Sequence, residues 1–214
     1  MLGASTLALG ASSSGPGLTY ISNIVNNTCL LYSLPGLSGD IMVVYAYSSY
    51  GSLTTPTGWT AILNTVTGTP TNNYYHAIFY KIRGSTDTFP SIGTSFIING
   101  AIWRPSRPVS QSNILVSSYN SLITDSAPAN QTLTMAGVSG TYLGLAHYES
   151  LISTAITTRG STVTATREIN FYAANSGYLK TFENSFGATP FANSTISMAD
   201  YGVNWLSTVV LKIT

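Results

Sequence analysis

The chain has 214 residues, enough for one large β-domain with a single sizeable core, and only 7% of them are charged against roughly a quarter in an ordinary soluble domain. Eight Lys and Arg stand against seven Asp and Glu, so no basic stripe is present to neutralise a run of phosphates, and nucleic-acid binding is excluded on that ground. A lone cysteine, Cys29, rules out an internal disulfide and a thiolate metal cage.

Ser, Thr, Gly, Asn and Tyr occupy the positions that charges usually take, so the exterior is neutral and rich in hydroxyls. Such a surface repels itself little, which favours a chain whose outside is covered by neighbours in an assembly. Residues 1–17 have no basic n-region and only a thin apolar run at Leu7-Ala-Leu9, which reads as a flexible N-terminal arm and not as a signal peptide. Nowhere do about 18 uninterrupted apolar residues occur, so no membrane insertion is expected.

From residue 18 onward the apolar positions repeat every second residue, the strand period. Strands are expected at 18–25 and 28–33, then at Ile41-Met-Val-Val-Tyr-Ala-Tyr47, whose unbroken apolar run suits a strand covered on both faces. Further strands are expected at 59–65, 74–83, 95–104, 113–119, 131–135 and 141–148. From Thr162, Val163, Ala165, Ile169 and Phe171 alternate with polar residues. A strand at 194–199 follows, and 204–213 closes the chain with Trp205, Val209, Leu211 and Ile213 on one face. With no helical partners, these strands must bury their faces against each other. The expectation is one all-β domain over 18–214, a two-sheet antiparallel β-sandwich with jelly-roll-like connectivity.

Three motifs follow each other in a distinctive order: Leu34-Pro-Gly-Leu-Ser-Gly-Asp40 before the apolar strand, Thr55-Pro-Thr-Gly-Trp-Thr60, and Ile78-Phe-Tyr-Lys-Ile82. Gly39 permits a turn conformation and Asp40 can bond the turn amides, while Pro56 and Gly58 shape a turn that delivers Trp59 to the core edge. Trp59 is either that anchor or an exposed platform for a sugar ring. The order of motifs resembles a β-sandwich module frequent in phage structural and tail-associated proteins, and the likeness covers residues 18 to 214. The low acidity and the Trp103-Arg-Pro-Ser-Arg-Pro108 segment depart from that module.

The resemblance implies a virion structural protein, a capsid decoration (cement) protein or a small tail component. Its partners would be itself, as a homo-oligomer with a trimer favoured, and other virion proteins such as the major capsid or tail proteins. The alternative is a carbohydrate-binding receptor-recognition module whose Tyr and Trp rings stack on a host surface glycan. Candidate contacts are Tyr50, Tyr74, Trp103, Arg104 and Arg107, the last two in a proline-stiffened loop fit to grip a carboxylate.

For catalysis the raw material is thin. The histidines, His76 and His147, both fall in expected strands and would need a third ligand such as Asp40, Glu149 or Glu168 to hold zinc. The seven acids are scattered singly, with Glu149 beside Glu168 or Glu183 as the remaining pairing for glycoside hydrolysis. No nucleophile elbow, phosphate loop or dinucleotide fingerprint occurs. Neither an enzymatic activity nor a cofactor is expected, and sequons at Asn26, Asn130 and Asn193 carry no assigned role.

Overall fold

The computed structural model describes residues 15–26, 36–48, 51–69, 72–87, 96–124, 129–133, 141–150, 159–161, 167–172, 177–184, 194–198 and 204–214. The first sheet is built from β1 (Leu18–Asn26), β2 (Ile41–Ser48), β3 (Thr60–Thr69), β4 (Asn72–Ile82) and β5 (Phe96–Pro105), in the spatial order β1-β5-β2-β4-β3. A 3-10 turn, Gln111–Asn113, leads into β6 (Ile114–Thr124), which is followed by β7 (Ala129–Leu133), β8 (Thr141–Ser150), β9 (Arg159–Ser161), β10 (Arg167–Tyr172), β11 (Gly177–Asn184), β12 (Ser194–Met198) and β13 (Asn204–Ile213). The second sheet has the order β10-β11-β8-β13-β6, and β7-β12-β9 form a small third sheet whose β7 and β12 approach β13.

The all-β, two-sheet antiparallel sandwich expected from the alternation is what the chain adopts. The jelly-roll part of the expectation is not confirmed. In a jelly roll the chain passes back and forth between the sheets, whereas here residues before 106 complete the first sheet and the second takes only later strands. Two strands were missed, β9 and β11. The Gly177-Tyr-Leu-Lys-Thr-Phe-Glu-Asn184 sequence has neither a β-branched run nor a charge-free face, yet it pairs along its length with β8. The expected strand at 28–33 lies outside the described residues, as do 162–166.

The core forms where the two sheets face each other. Ile41, Val43 and Tyr45 of β2, Ile78 and Tyr80 of β4, and Trp103 of β5 meet Leu143 and Leu145 of β8 and Trp205, Val209, Leu211 and Ile213 of β13. Burying each large side chain contributes about 1.5–3 kcal/mol. Strand β2 explains its own apolar run. It is the centre of the first sheet, and its other residues, Met42, Val44 and Ala46, enter a second cluster with Ala77, Phe79 and Ile102 on the outer face. That face is roofed by the β2–β3 connection, which contributes Leu53 and Trp59.

The strands give the sandwich two poles. Leu18, Ile41, Ile82, Pro105, Ile114, Thr141 and Ile213 end or begin their strands at one, and Asn26, Ser48, Phe96, Thr124, Ser150 and Asn204 at the other. At the first, here the terminal pole, Thr141 Oγ1 donates to the Pro16 carbonyl at 2.6 Å, Gly17 N to Ser106 Oγ at 2.9 Å, and Ser106 N to the Gly17 carbonyl at 2.8 Å. Residues 15–17, expected to belong to the arm, are thus bonded to both halves of the chain. Gly15 is required there, because a Cβ would fall against the Ile213 carbonyl oxygen and within 2.5 Å of Thr141 N. Thr214 N bonds the Asn113 carbonyl at 3.0 Å, so the chain leaves the sandwich at the pole where it entered.

Candidate functional site

At the terminal pole the Gly39-Asp40 motif closes a turn. Gly39 has φ +93°, a left-handed conformation that favours glycine. Leu37 N donates to Asp40 Oδ2 at 2.7 Å, Asp40 N to the Leu37 carbonyl at 3.2 Å, and Arg83 N to the Asp40 carbonyl at 2.8 Å. The carboxylate, 2% exposed, also receives both arms of Arg104, Nε to Oδ1 and Nη2 to Oδ2, each at 2.9 Å. The Asp40 hydrogen bond raises the Arg104 pKa above its ordinary value, with the Asp40 charge adding to it against desolvation. The bidentate fork expected to grip a partner's carboxylate is therefore engaged by the chain's own, 64 residues away.

A shallow cleft of about 260 Å³ opens beside this pair, lined by Leu37, Gly39, Arg104, Pro105, Arg107 and Pro108 among others. Arg107 is exposed on its rim. Trp103, expected at a partner surface, is corrected: it is 0% exposed in the inter-sheet core, with its ring 6.2 Å from Tyr20 in an edge arrangement. The Arg-Pro-Ser-Arg-Pro segment after it invites a loop reading, but β5 runs through Pro105 and pairs Trp103 with Ile41 and Tyr20. Tyr50 lies outside the described residues, as does the side chain of Tyr74, whose backbone in β4 pairs with Thr67 of β3.

The Pro56–Trp59 turn behaves as its residues dictate. Trp59 N donates to the Pro56 carbonyl at 3.1 Å, Gly58 has φ +78°, and the indole is 9% exposed in the outer cluster. Trp59 is an anchor and not a sugar platform.

Toward the opposite, distal pole the core turns polar. His76 of β4 and His147 of β8 are both 0% exposed and gather with Tyr45, Tyr47, Trp205 and Ser207. His147 stacks on Tyr45 (centroids 4.6 Å, 20°) and meets Trp205 edge-on at 4.9 Å, while His76 lies 4.2 Å from Trp205 and 5.3 Å from Tyr47. Both nitrogens of His76, Tyr45 Oη and Ser207 Oγ are buried with no hydrogen-bond partner among the described residues. Burial lowers the His76 pKa from 6.5 to about 3, and for His147 burial does the same, aided by the repulsion a protonated His76 would exert. The cluster as a whole escapes sequence reasoning, although one signal was present: His147 continues the inward alternation Leu143, Leu145.

Among the described residues no three of His, Cys, Asp or Glu come together as a metal site, and no helix is long and apolar enough to cross a membrane. Of the acids with described side chains, Asp40 is held by Arg104, and Asp87 by Lys81 at 2.9 Å. The side chains of Glu149, Glu168 and Glu183 lie outside the described residues, so the suggested pairings among them have no geometry here. Compared with protein-family models, curated proteins and solved structures, the chain matches none.

Proposed function

We propose that this chain is a structural protein of a bacteriophage particle, a capsid decoration protein or small tail component, which works by attachment through its terminal pole. One observation carries the reading. The large apolar side chains exposed among the described residues are Leu37 at 60%, Leu115 at 52% and Val116 at 38%. All three sit at the pole where the chain enters and leaves: Leu37 in the turn before β2, Leu115 and Val116 at the start of the edge strand β6. Exposed apolar side chains gathered at one end, two of them on a strand that stands at the edge of its sheet among the described residues, are what an assembling protein buries against a neighbour. The remaining exterior, with few charges, repels such neighbours little.

A homo-oligomer, with a trimer favoured, would multiply such contacts without further chemistry. The Asp40–Arg104 clasp then serves to stiffen the attaching pole. The sugar-binding alternative loses its indole platforms, since Trp59, Trp103 and Trp205 are all buried.

Counting copies of the chain in purified particles by quantitative mass spectrometry tests the reading. Hundreds of copies identify a shell component and a handful a tail component. Absence from washed, infectious particles refutes both.

A further inference from the structure

We propose that His76 and His147 form an acid-sensitive latch that holds the two sheets together at the distal pole and releases them when the imidazoles take up protons. The geometry crosses the sandwich twice. His76 belongs to the first sheet and rests on Trp205 of the second at 4.2 Å; His147 belongs to the second and stacks on Tyr45 of the first at 4.6 Å. Each imidazole is therefore a contact between sheets, and both share the Trp205 ring.

The surroundings accept neutral rings and not cations. An imidazolium at His76 would present two N–H donors where neither nitrogen has an acceptor among the described residues. Among the described residues, the groups seen to face the pair are Tyr45 and Tyr47 from β2 and Trp205 and Ser207 from β13. The nearest carboxylate along the chain is Glu149, two residues beyond His147 and in register with Trp205. The π faces of Tyr45 and Trp205 attract a cation and offset only part of the desolvation.

Burial keeps both imidazoles neutral, with pKa values near 3 in the closed state against 6.5 when open to water. The folded values are depressed below the open ones, so the open state binds more protons at acid pH. The closed interface keeps its full stability above about pH 6.5 and loses it as the pH falls toward 3.

The test uses the full chain and measures the open population by urea unfolding and amide exchange from pH 7 to pH 4, for the wild type, His76→Phe, His147→Phe and Glu149→Gln. With two protons taken up on opening, the wild-type open population rises by up to about 100-fold per pH unit below pH 6, and by up to about 10-fold in either histidine variant. Glu149→Gln keeps the wild-type slope. A wild-type population that changes less than about threefold between pH 7 and pH 4, histidine variants with an undiminished slope, or a slope abolished by Glu149→Gln each overturns the latch. Should a histidine variant fail to fold at pH 7, the wild type decides alone. Acid then accelerates exchange, after correction for intrinsic rates, at Leu206 and Tyr148 before Leu143 and Leu211, whereas uniform acceleration contradicts a latch at one pole.

Discussion

Replacing Trp103 by alanine separates a core residue from a contact residue more sharply than any other single change in this chain. A buried Trp withdraws about 150–250 Å² from water, worth about 4–6 kcal/mol at about 25 cal/mol per Å², which is an upper bound because the unfolded chain already hides part of that area. Alanine keeps some of the contact and leaves a cavity between Ile41, Tyr20 and the opposing sheet, and the edge contact of Tyr20 with the indole is lost as well. The expected cost is about 3–5 kcal/mol, a large fraction of the roughly 5–15 kcal/mol that holds a domain of this kind together. Urea unfolding followed by circular dichroism reads it as a lower midpoint with an unchanged slope. A loss below about 1 kcal/mol, or an unchanged midpoint with weakened self-association, would show that the side chain works at a surface and that the core assignment is wrong.

Other changes probe other parts of the argument. Asp40→Ala removes the acceptor for Leu37 N and the partner of Arg104; loss of the part-buried Leu37 bond alone costs about 0.5–1.5 kcal/mol, read as a lower thermal midpoint at pH 7. Gly15→Ala forces a methyl group against Ile213 and Thr141 and frees the Pro16 and Gly17 bonds, for about 2–3 kcal/mol in urea unfolding. Faster proteolysis at the N-terminal segment accompanies it. Leu115→Ser with Val116→Ser leaves the monomer within about 0.5 kcal/mol of the wild type but reduces its occupancy on particles; unchanged occupancy removes the terminal pole as the attachment site. Trp205→Phe keeps the apolar fill but alters the ring shared by the histidines, and shows a smaller loss of midpoint at pH 7 than Trp103→Ala.

The sequence carries most of the sandwich because its signals are local. An apolar run such as Ile41 to Tyr47 can only be a strand covered on both faces, and the alternation of Trp205, Val209, Leu211 and Ile213 fixes which side of β13 faces inward. Gly39 and Gly58 announce their turns for the same reason, since the conformation each adopts disfavours other residues. What the sequence hides is long-range. Arg104 finds Asp40 only because β5 lies beside β2, so a fork that reads as an offer to a partner is already taken. Trp103 falls in an expected strand but reads as a partner contact from its proline-rich neighbours, while pairing with Ile41 and Tyr20 carries it into the core. Connectivity is hidden too, because alternation reveals which face is buried and not which strand lies next to which, and the jelly-roll expectation is left unconfirmed on that point. At the distal pole, each histidine is an ordinary strand residue until the two sheets close and set both against Trp205.

Attachment by one end of a stiff slab is the claim on which the functional account stands. A cryo-electron microscopy reconstruction of purified particles, resolved well enough to orient the sandwich, tests it directly. The account predicts Leu37, Leu115 and Val116 seated against the particle and the Trp205 end pointing outward. A sandwich seated by its Trp205 end, or particles without density for it, would contradict the account.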